Sequence, residues 1–335
     1  MDKENNNFFL VIGSNSFTGS HFISYLLSKG IRCVGISRSK ELEAPFLAYK
    51  WSKKSSEIYD FYQYDVNNNI QEIVDLIEDK KFTHIVNFAA QSMVGQSWTY
   101  PEDWYQTNIV SLSKLINKIK DFSFIKRYLS VTTPEVYGST NGWIKENFNF
   151  HPSTPYAISR AAQDLHLKAL YENFSFPVIF TRAANVYGPG QSLYRIIPRA
   201  IIEALTGGKL VLDGGGKSLR SFIHAQDVAS ATLKISLKGK VGSSYHISGK
   251  ESIYIKDVVR LVAKSCEVEM NGFVEIGPDR KGKDSAYLLD SVKLREELNW
   301  EDKIILTEGL EETLQWSKDN LKFLTNYTRE YVHKK

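Results

Sequence analysis

The sequence predicts an α/β protein in which a doubly wound parallel sheet carries a smaller, interleaved α/β unit, and three observations lead there. Short apolar runs alternate with amphipathic stretches through the first half of the chain, which is the pattern of βαβ units. The first of those runs, Phe8-Phe9-Leu10-Val11-Ile12, closes on Gly13 and a turn of small residues. From about residue 189 the grain changes to shorter segments, punctuated by Pro189-Gly190 and by Gly214-Gly215-Gly216.

Taken in order, strands are expected at 8–12, 31–36, 60–64, 83–88, 125–131 and 177–182, each a short apolar run. Amphipathic segments between them predict helices near 19–29, 69–79, 101–119 and 156–173. Pro155 stands where the first turn of a helix accepts proline best. A helical tail of mixed acidic and basic residues follows at 307–320. This gives residues 1–188 to the sheet-bearing domain, with 222–248 returning to it, and assigns 189–221 and 249–335 to the smaller domain.

The composition narrows the function classes. With 335 residues, 42% of them hydrophobic and 24% charged, the chain can bury a sizeable core. A net charge of +4, spread along the chain, gives no basic stripe for nucleic acid and suits an anionic small molecule. Cys33 and Cys266 are far apart and lack metal-ligand spacing, so neither a disulfide framework nor a metal site is expected. The first apolar run is too short for a signal segment or a membrane span, and a cytoplasmic protein with no membrane association is expected.

Gly13-Ser14-Asn15-Ser16-Phe17-Thr18-Gly19 follows a strand and opens a helix, where a Rossmann-type dinucleotide site belongs. There, Gly13, Ser16, Phe17, Thr18 and Gly19 would present helix N-terminal amides to a pyrophosphate. The second strand ends on Ser37 and Arg38, where NAD-binding chains carry an acidic residue for the ribose. A guanidinium and a hydroxyl favour a 2′-phosphate instead, so NADP is the expected cofactor and NAD the alternative. After the fifth strand comes Thr132-Thr133-Pro134-Glu135, and further on Tyr156 and Arg160 lie four residues apart on a helix. A threonine hydroxyl and a tyrosine phenol can share one substrate oxygen, while a nearby cation eases ionisation of the phenol. In isolation, Thr-Pro-Glu is a common turn and Tyr-x-x-x-Arg a common surface pattern. Their conjunction at strand ends carries the catalytic reading.

Tyr156-Ala157-Ile158-Ser159-Arg160 resembles the Tyr-x-x-x-Lys pair of the short-chain dehydrogenase/reductases, with arginine for lysine. The Gly13–Gly19 loop is similar to that family's three-glycine loop, with Ser16 for the middle glycine. Over almost the whole chain the motifs resemble the extended members that act on nucleotide sugars. Ala89-Ala90-Gln91-Ser92-Met93-Val94-Gly95-Gln96-Ser97 is similar to GDP-mannose 4,6-dehydratases. Arg182-Ala183-Ala184-Asn185-Val186-Tyr187-Gly188-Pro189, Gly215-Gly216-Lys217-Ser218-Leu219-Arg220, and Asp279-Arg280-Lys281-Gly282-Lys283-Asp284 are similar to dTDP-glucose 4,6-dehydratases.

The resemblance implies that Asp65, Val66, Ala89, Ala90, Gln91 and Asn108 belong to the cofactor site together with Tyr156 and Arg160. Ser92, Asn185, Arg195, Arg220 and Arg280 would hold a nucleotide-diphosphate sugar. It implies a 4,6-dehydratase in which Thr133, Glu135, Tyr156 and Arg160 are catalytic, Tyr156 taking the C4 hydroxyl proton and Glu135 the C5 proton. Where relatives have an acidic residue between threonine and glutamate, Pro134 has no proton to donate. A decarboxylase or C4 epimerase/oxidoreductase of the same superfamily, or a non-catalytic NADP-binding homologue, are the alternatives. Relatives pair through two helices, which implies a homodimer, with a tetramer as the alternative; the exposed faces of those helices are expected to carry Trp98, Trp104, Leu112, Leu115 and Leu167, although apolar residues at such spacing could equally pack on the sheet.

Overall fold

A computed structural model describes residues 7–52, 58–279 and 284–334. Seven strands, β1 (Phe9–Ile12), β2 (Cys33–Ser37), β3 (Tyr59–Gln63), β4 (His84–Asn87), β5 (Arg127–Thr132), β6 (Val178–Ala183) and β7 (Ser244–Ile247), form one sheet. Its order is β3-β2-β1-β4-β5-β6-β7, and every neighbouring pair is parallel. The order reverses at β1, so a crevice opens between the carboxyl ends of β1 and β4, where an open α/β sheet takes its ligand.

Helices cover both faces, so β1 and β4 are buried at every position without alternation. Helix α1 (Phe17–Ser28) and the helix Ala225–Lys238 cover one face, packing Phe22, Ile23, Leu26, Ala231 and Ile235 against Val11 and Val86. On the other lie α2 (Ile70–Lys80), a composite α3 (Pro101–Tyr105, a π turn over Gln106–Ser111, then Leu112–Ile119) and α4 (Pro155–Phe174). They bury Ile73, Ile77, Leu112, Leu115 and Leu167 against Leu10, Ile85 and Phe180.

That packing corrects the expected pairing surface. Leu112, Leu115 and Leu167 form the sheet-facing stripe of α3 and α4, and Trp104 is completely buried; of the five, Trp98 alone is exposed. The outward apolar residues of these helices are Val110, Ile158, Leu165 and, at the end of α4, Phe174.

The remaining segments build a smaller unit past the carboxyl edge of the sheet. Residues 185–187 pair with 222–224, and 210–213 with 274–277. Residues 219–220 lie between 253–254 and 286–287. Helices Ile196–Thr206, Ile255–Ser265 and Leu306–Asp319 close around Ile201, Val259 and Leu310. The chain returns to the large sheet through the helix 225–238 and β7. Among the described residues, no helix is long and apolar enough to cross a membrane.

Burial holds four histidines below their ordinary range: His21, His84 and His224 at about 4 and His246 at about 3. The unfolded chain binds protons at these sites first as pH falls. Their stabilising contribution is complete above pH 6.5 and is lost between there and the folded values, on the order of 3 kcal/mol per histidine. Urea denaturation at pH 7 and pH 5 should therefore show a clearly lower midpoint at pH 5, and equal midpoints would refute this assignment.

Candidate active site

The loop from β1 into α1 is shaped by two close approaches. Gly13 has φ +85°, and a Cβ there would lie 2.7 Å from the Ala89 nitrogen; one on Gly19 would lie 2.4 Å from the Gly13 carbonyl oxygen. Ser16 caps α1, its Oγ accepting from the Gly19 amide at 3.1 Å and donating to the Gly13 carbonyl at 2.7 Å. Its hydroxyl is thus folded into the loop, which is why serine serves where relatives have glycine. The amides of Phe17 and Thr18 begin the helix without intrahelical partners and suit an anion.

At the end of β4, Asn108 brackets one residue. Its Oδ1 accepts from the Gln91 amide at 2.9 Å, and its Nδ2 donates to the Gln91 carbonyl at 3.0 Å and to Ser159 Oγ at 2.9 Å. Asn108 lies within the π turn of α3. One side chain thereby ties the β4 end to α4, the helix that carries Tyr156. The Asp65 carboxylate caps its own turn by accepting from the Asn67 amide and Asn68 Nδ2, and Val66 packs beside it in the core. Arg38 Nη1 donates to the Lys334 carbonyl at 3.0 Å.

Past β5, Thr133 caps a short turn begun by Pro134, and its hydroxyl donates to Glu135. Thr154 caps α4 by accepting from the Ala157 amide, which sets Tyr156 in the first helical turn. Tyr156 is pushed up to about 12 by burial and by the charge of Glu135, against the pull of Arg160 and of a hydrogen bond from Thr133. Glu135 is raised by burial, opposed by Thr133 and then Arg195. Thr133 has one hydroxyl proton to share between phenol and carboxylate, so the two groups are coupled through it. A carboxyl raised in this way is a stronger base when ionised and a ready donor when protonated.

Arg160 is buried; its Nη2 donates to the Val131 carbonyl, while Nε and Nη1 have no partner. Two orphaned buried N–H groups beside the phenol suit the hydroxyls of a bound nicotinamide ribose, so the residues fit such a cofactor. With the fork divided in this way, Arg160→Lys should retain the charge yet lower kcat/KM roughly tenfold, about 1.4 kcal/mol of transition-state stabilisation. Steady-state kinetics with unchanged kcat/KM would show that charge alone suffices.

A cleft of about 920 Å³ joins these parts. Its lining includes Ser16, Phe17, Thr18, Ala90 and Ser92, then Thr133, Glu135, Tyr156 and Arg160, and also Asn185, Arg195 and Arg220. Arg220 stacks over Tyr287 at 4.1 Å and donates to the carbonyls of Leu219, Ser285 and Asp284. Tyr287 in turn donates to Asn185 Oδ1 at 2.8 Å. Ser37, Arg38, Asp65, Val66, Ala89, Gln91 and Asn108 stand outside the lining. Arg280 lies outside the described residues.

The family model for GDP-mannose 4,6 dehydratase matches residues 10–313. The chain belongs to that family. This dehydratase is 29% identical over 339 residues to the dTDP-glucose 4,6-dehydratase of Xanthomonas campestris, covering 95% of this chain and 93% of that one. Its fold matches the dTDP-glucose 4,6-dehydratase of Streptomyces venezuelae, solved with NAD, at a TM-score of 0.87 and 27% identity over 94% and 98% of the two chains. The Bacillus anthracis dTDP-glucose 4,6-dehydratase in complex with NAD matches at 0.83 and 30% identity, over 95% and 98%. It is thus an extended short-chain dehydrogenase/reductase of the nucleotide-sugar 4,6-dehydratase type, a hydro-lyase that uses a nicotinamide dinucleotide.

Two parts of the dehydratase's cleft escaped sequence reasoning. Arg329 and Glu330 line it from a segment without periodicity. Tyr194 and Ser192 line it from an irregular stretch before Ile196, where no spacing rule operates.

Proposed function

We propose that Tyr156, Thr133 and Glu135 carry the conversion of a nucleotide-diphosphate hexose to its 4-keto-6-deoxy product, with Arg160 as electrostatic partner. The observation supporting this most directly is that Thr133, Glu135, Tyr156 and Arg160 line one cleft, with the Thr133 hydroxyl donating to Glu135. A nicotinamide dinucleotide held at the Gly13–Gly19 loop would supply the hydride chemistry, uptake from C4 and return at C6. Tyr156, once ionised, takes the proton of the C4 hydroxyl, and the resulting ketone acidifies C5. Glu135 removes the C5 proton and delivers it to the C6 hydroxyl, which leaves as water; once the hydride is back at C6, C5 takes up a proton from solvent, matching the one that Tyr156 took from the C4 hydroxyl and releases. Pro134 lacks a proton, so one carboxyl performs both transfers.

Gly13, Ser16, Phe17, Thr18 and Gly19 would hold the pyrophosphate, with Ala89, Ala90, Gln91, Asn108, Asp65 and Val66 framing the dinucleotide. Ser37 and Arg38 support NADP, and equal binding of NAD and NADP by calorimetry would count against it. Asn185, Arg195 and Arg220, with Ser92 at the sugar end, suit a diphosphate and its sugar; Arg280 is assigned there on sequence grounds. Incubation with dTDP-glucose, GDP-mannose and UDP-glucose tests the reaction: product lighter by one water supports it, loss of carbon dioxide supports a decarboxylase, and unchanged mass leaves epimerisation.

The exposed face bearing Val110, Ile158 and Leu165 supports a homodimer through α3 and α4. Val110→Glu with Leu165→Glu should convert dimer to monomer in sedimentation; a wild-type monomer would refute the pairing. The unpaired cysteines suit a reducing cytoplasm.

A further inference from the structure

After the helix Leu321–Leu324 the chain leaves the smaller unit and crosses to the large sheet. Its first anchor is on the helix 196–206. Arg199 Nη1 donates to the Arg329 carbonyl at 2.6 Å, and Arg329 Nη1 pairs with the buried Glu203 at 2.7 Å. Tyr331 comes next, edge-on to Tyr194 with ring centroids 5.5 Å apart, its hydroxyl 3.4 Å from Gln91 Oε1. The His333 ring then lies between two aromatic faces of α3, 5.0 Å from Tyr100 and 5.1 Å from Trp104, both within 10° of parallel. Its Nε2 is 2.7 Å from Asp103 Oδ2. The Lys334 carbonyl finally accepts from Gln91 Nε2 at 2.5 Å and from Arg38 Nη1 at 3.0 Å.

The last contact fixes what the segment spans. Gln91 follows β4 and Arg38 follows β2, and β1 runs between those strands. One carbonyl held from both sides therefore places the segment across the crevice at the carboxyl end of β1, where this fold directs a dinucleotide. Arg329 and Glu330 line the open cleft together with Ser16, Phe17 and Tyr156, while Gln91 and Arg38, which hold Lys334, stand outside that lining, so the segment forms a wall of the cleft. A stretch that only finished the fold would need neither a socket of two aromatic rings and a carboxylate nor contacts to both lips of the crevice.

We propose that residues 328–334 are a strap that closes the dinucleotide crevice and retains the cofactor, with His333 as its latch in the Tyr100–Trp104–Asp103 socket. The proposal rests on the nicotinamide-dinucleotide reading of the site. A reaction that removes and returns one hydride has use for such a device, because a cofactor lost between the two steps would strand the intermediate. The strap residues act through Gln91 and Arg38 and are positioning residues.

Two variants test this: a chain ending after Tyr327, which keeps Tyr327 packed on Phe46 and Phe323, and His333→Ala, which leaves the backbone intact. Dissociation of NAD and of NADP is followed by stopped flow with excess unlabelled competitor, and binding of thymidine, uridine and guanosine diphosphates is measured in parallel. The expected result is dissociation of the dinucleotide faster by roughly tenfold or more in both variants, with nucleoside diphosphate affinity unchanged in His333→Ala, whose substitution leaves the cleft lining intact. Unchanged dissociation in folded His333→Ala overturns the latch. Tighter dinucleotide binding in either variant overturns the strap and makes the segment a plug. Absence of dinucleotide binding in wild type and variants alike sinks the cofactor reading, and the strap with it.

Discussion

Glu135→Gln is expected to abolish dehydration while sparing the first half of the reaction. Glutamine keeps the shape and can still accept from Thr133, but it cannot take a proton from C5. Loss of a positioned general base costs roughly two to four powers of ten in rate. In the proposed mechanism the C4 oxidation rests on Tyr156 and Arg160, so the variant should still build up reduced-nicotinamide absorbance when given substrate, yet release almost no product lighter by one water. Tyr156 should also ionise more readily, because the charge of Glu135 is one of the causes that raise it. The onset of reduced-cofactor formation in the variant should accordingly move to lower pH. Dehydration at the wild-type rate would remove Glu135 from the mechanism.

Arg182→Met should be among the most destabilising single substitutions in the chain. Arg182 and Asp164 are both fully buried and paired at 2.7 Å. The guanidinium also donates to Ser244 and lies against the rings of Tyr137, Phe148 and Phe150 at 5.0 to 5.4 Å. Burial raises Asp164, and the Arg182 charge is the largest influence holding it down. Without Arg182 the carboxylate is left buried and unpaired, at a loss of about 3–5 kcal/mol. Adding Asp164→Leu to Arg182→Met should restore much of that, because two apolar groups then replace the pair. Denaturant midpoints for the single and double variants decide the matter; a single-variant loss below about 1 kcal/mol would contradict it. Arg182 lies level with Thr132, the neighbour of Thr133, in the β5–β6 register, so the destabilised variant should also lose turnover.

Much of the large sheet was legible in the sequence, because β1, β2 and the cores of β4 to β6 are short runs rich in apolar residues, with amphipathic helical segments between them. The site at the strand ends was legible for a related reason. Turn-forming residues such as Gly13 and Pro134 leave a stronger mark than any single reactive group. The pairing surface was misread at Leu112, Leu115 and Leu167, since an apolar stripe is the same in sequence whether it meets a sheet or a second copy. Arg195 and Arg220 show a different limit. Both line the cleft, but nothing in their spacing says that Arg220 has donors committed to three carbonyls while Arg195 stands exposed. The 328–334 segment left no signal, because its order comes from contacts with residues hundreds of positions away.

The Ser16 cap has a thermodynamic consequence for the β1–α1 loop. Its hydroxyl already bonds at both ends within the loop, and Gly13 and Gly19 are each pressed against backbone. The loop therefore has little conformational entropy left to lose when an anion arrives, and the amides of Phe17 and Thr18 are in place beforehand. A pyrophosphate held here as proposed would meet a preorganised loop, with little of its binding free energy spent on ordering the chain.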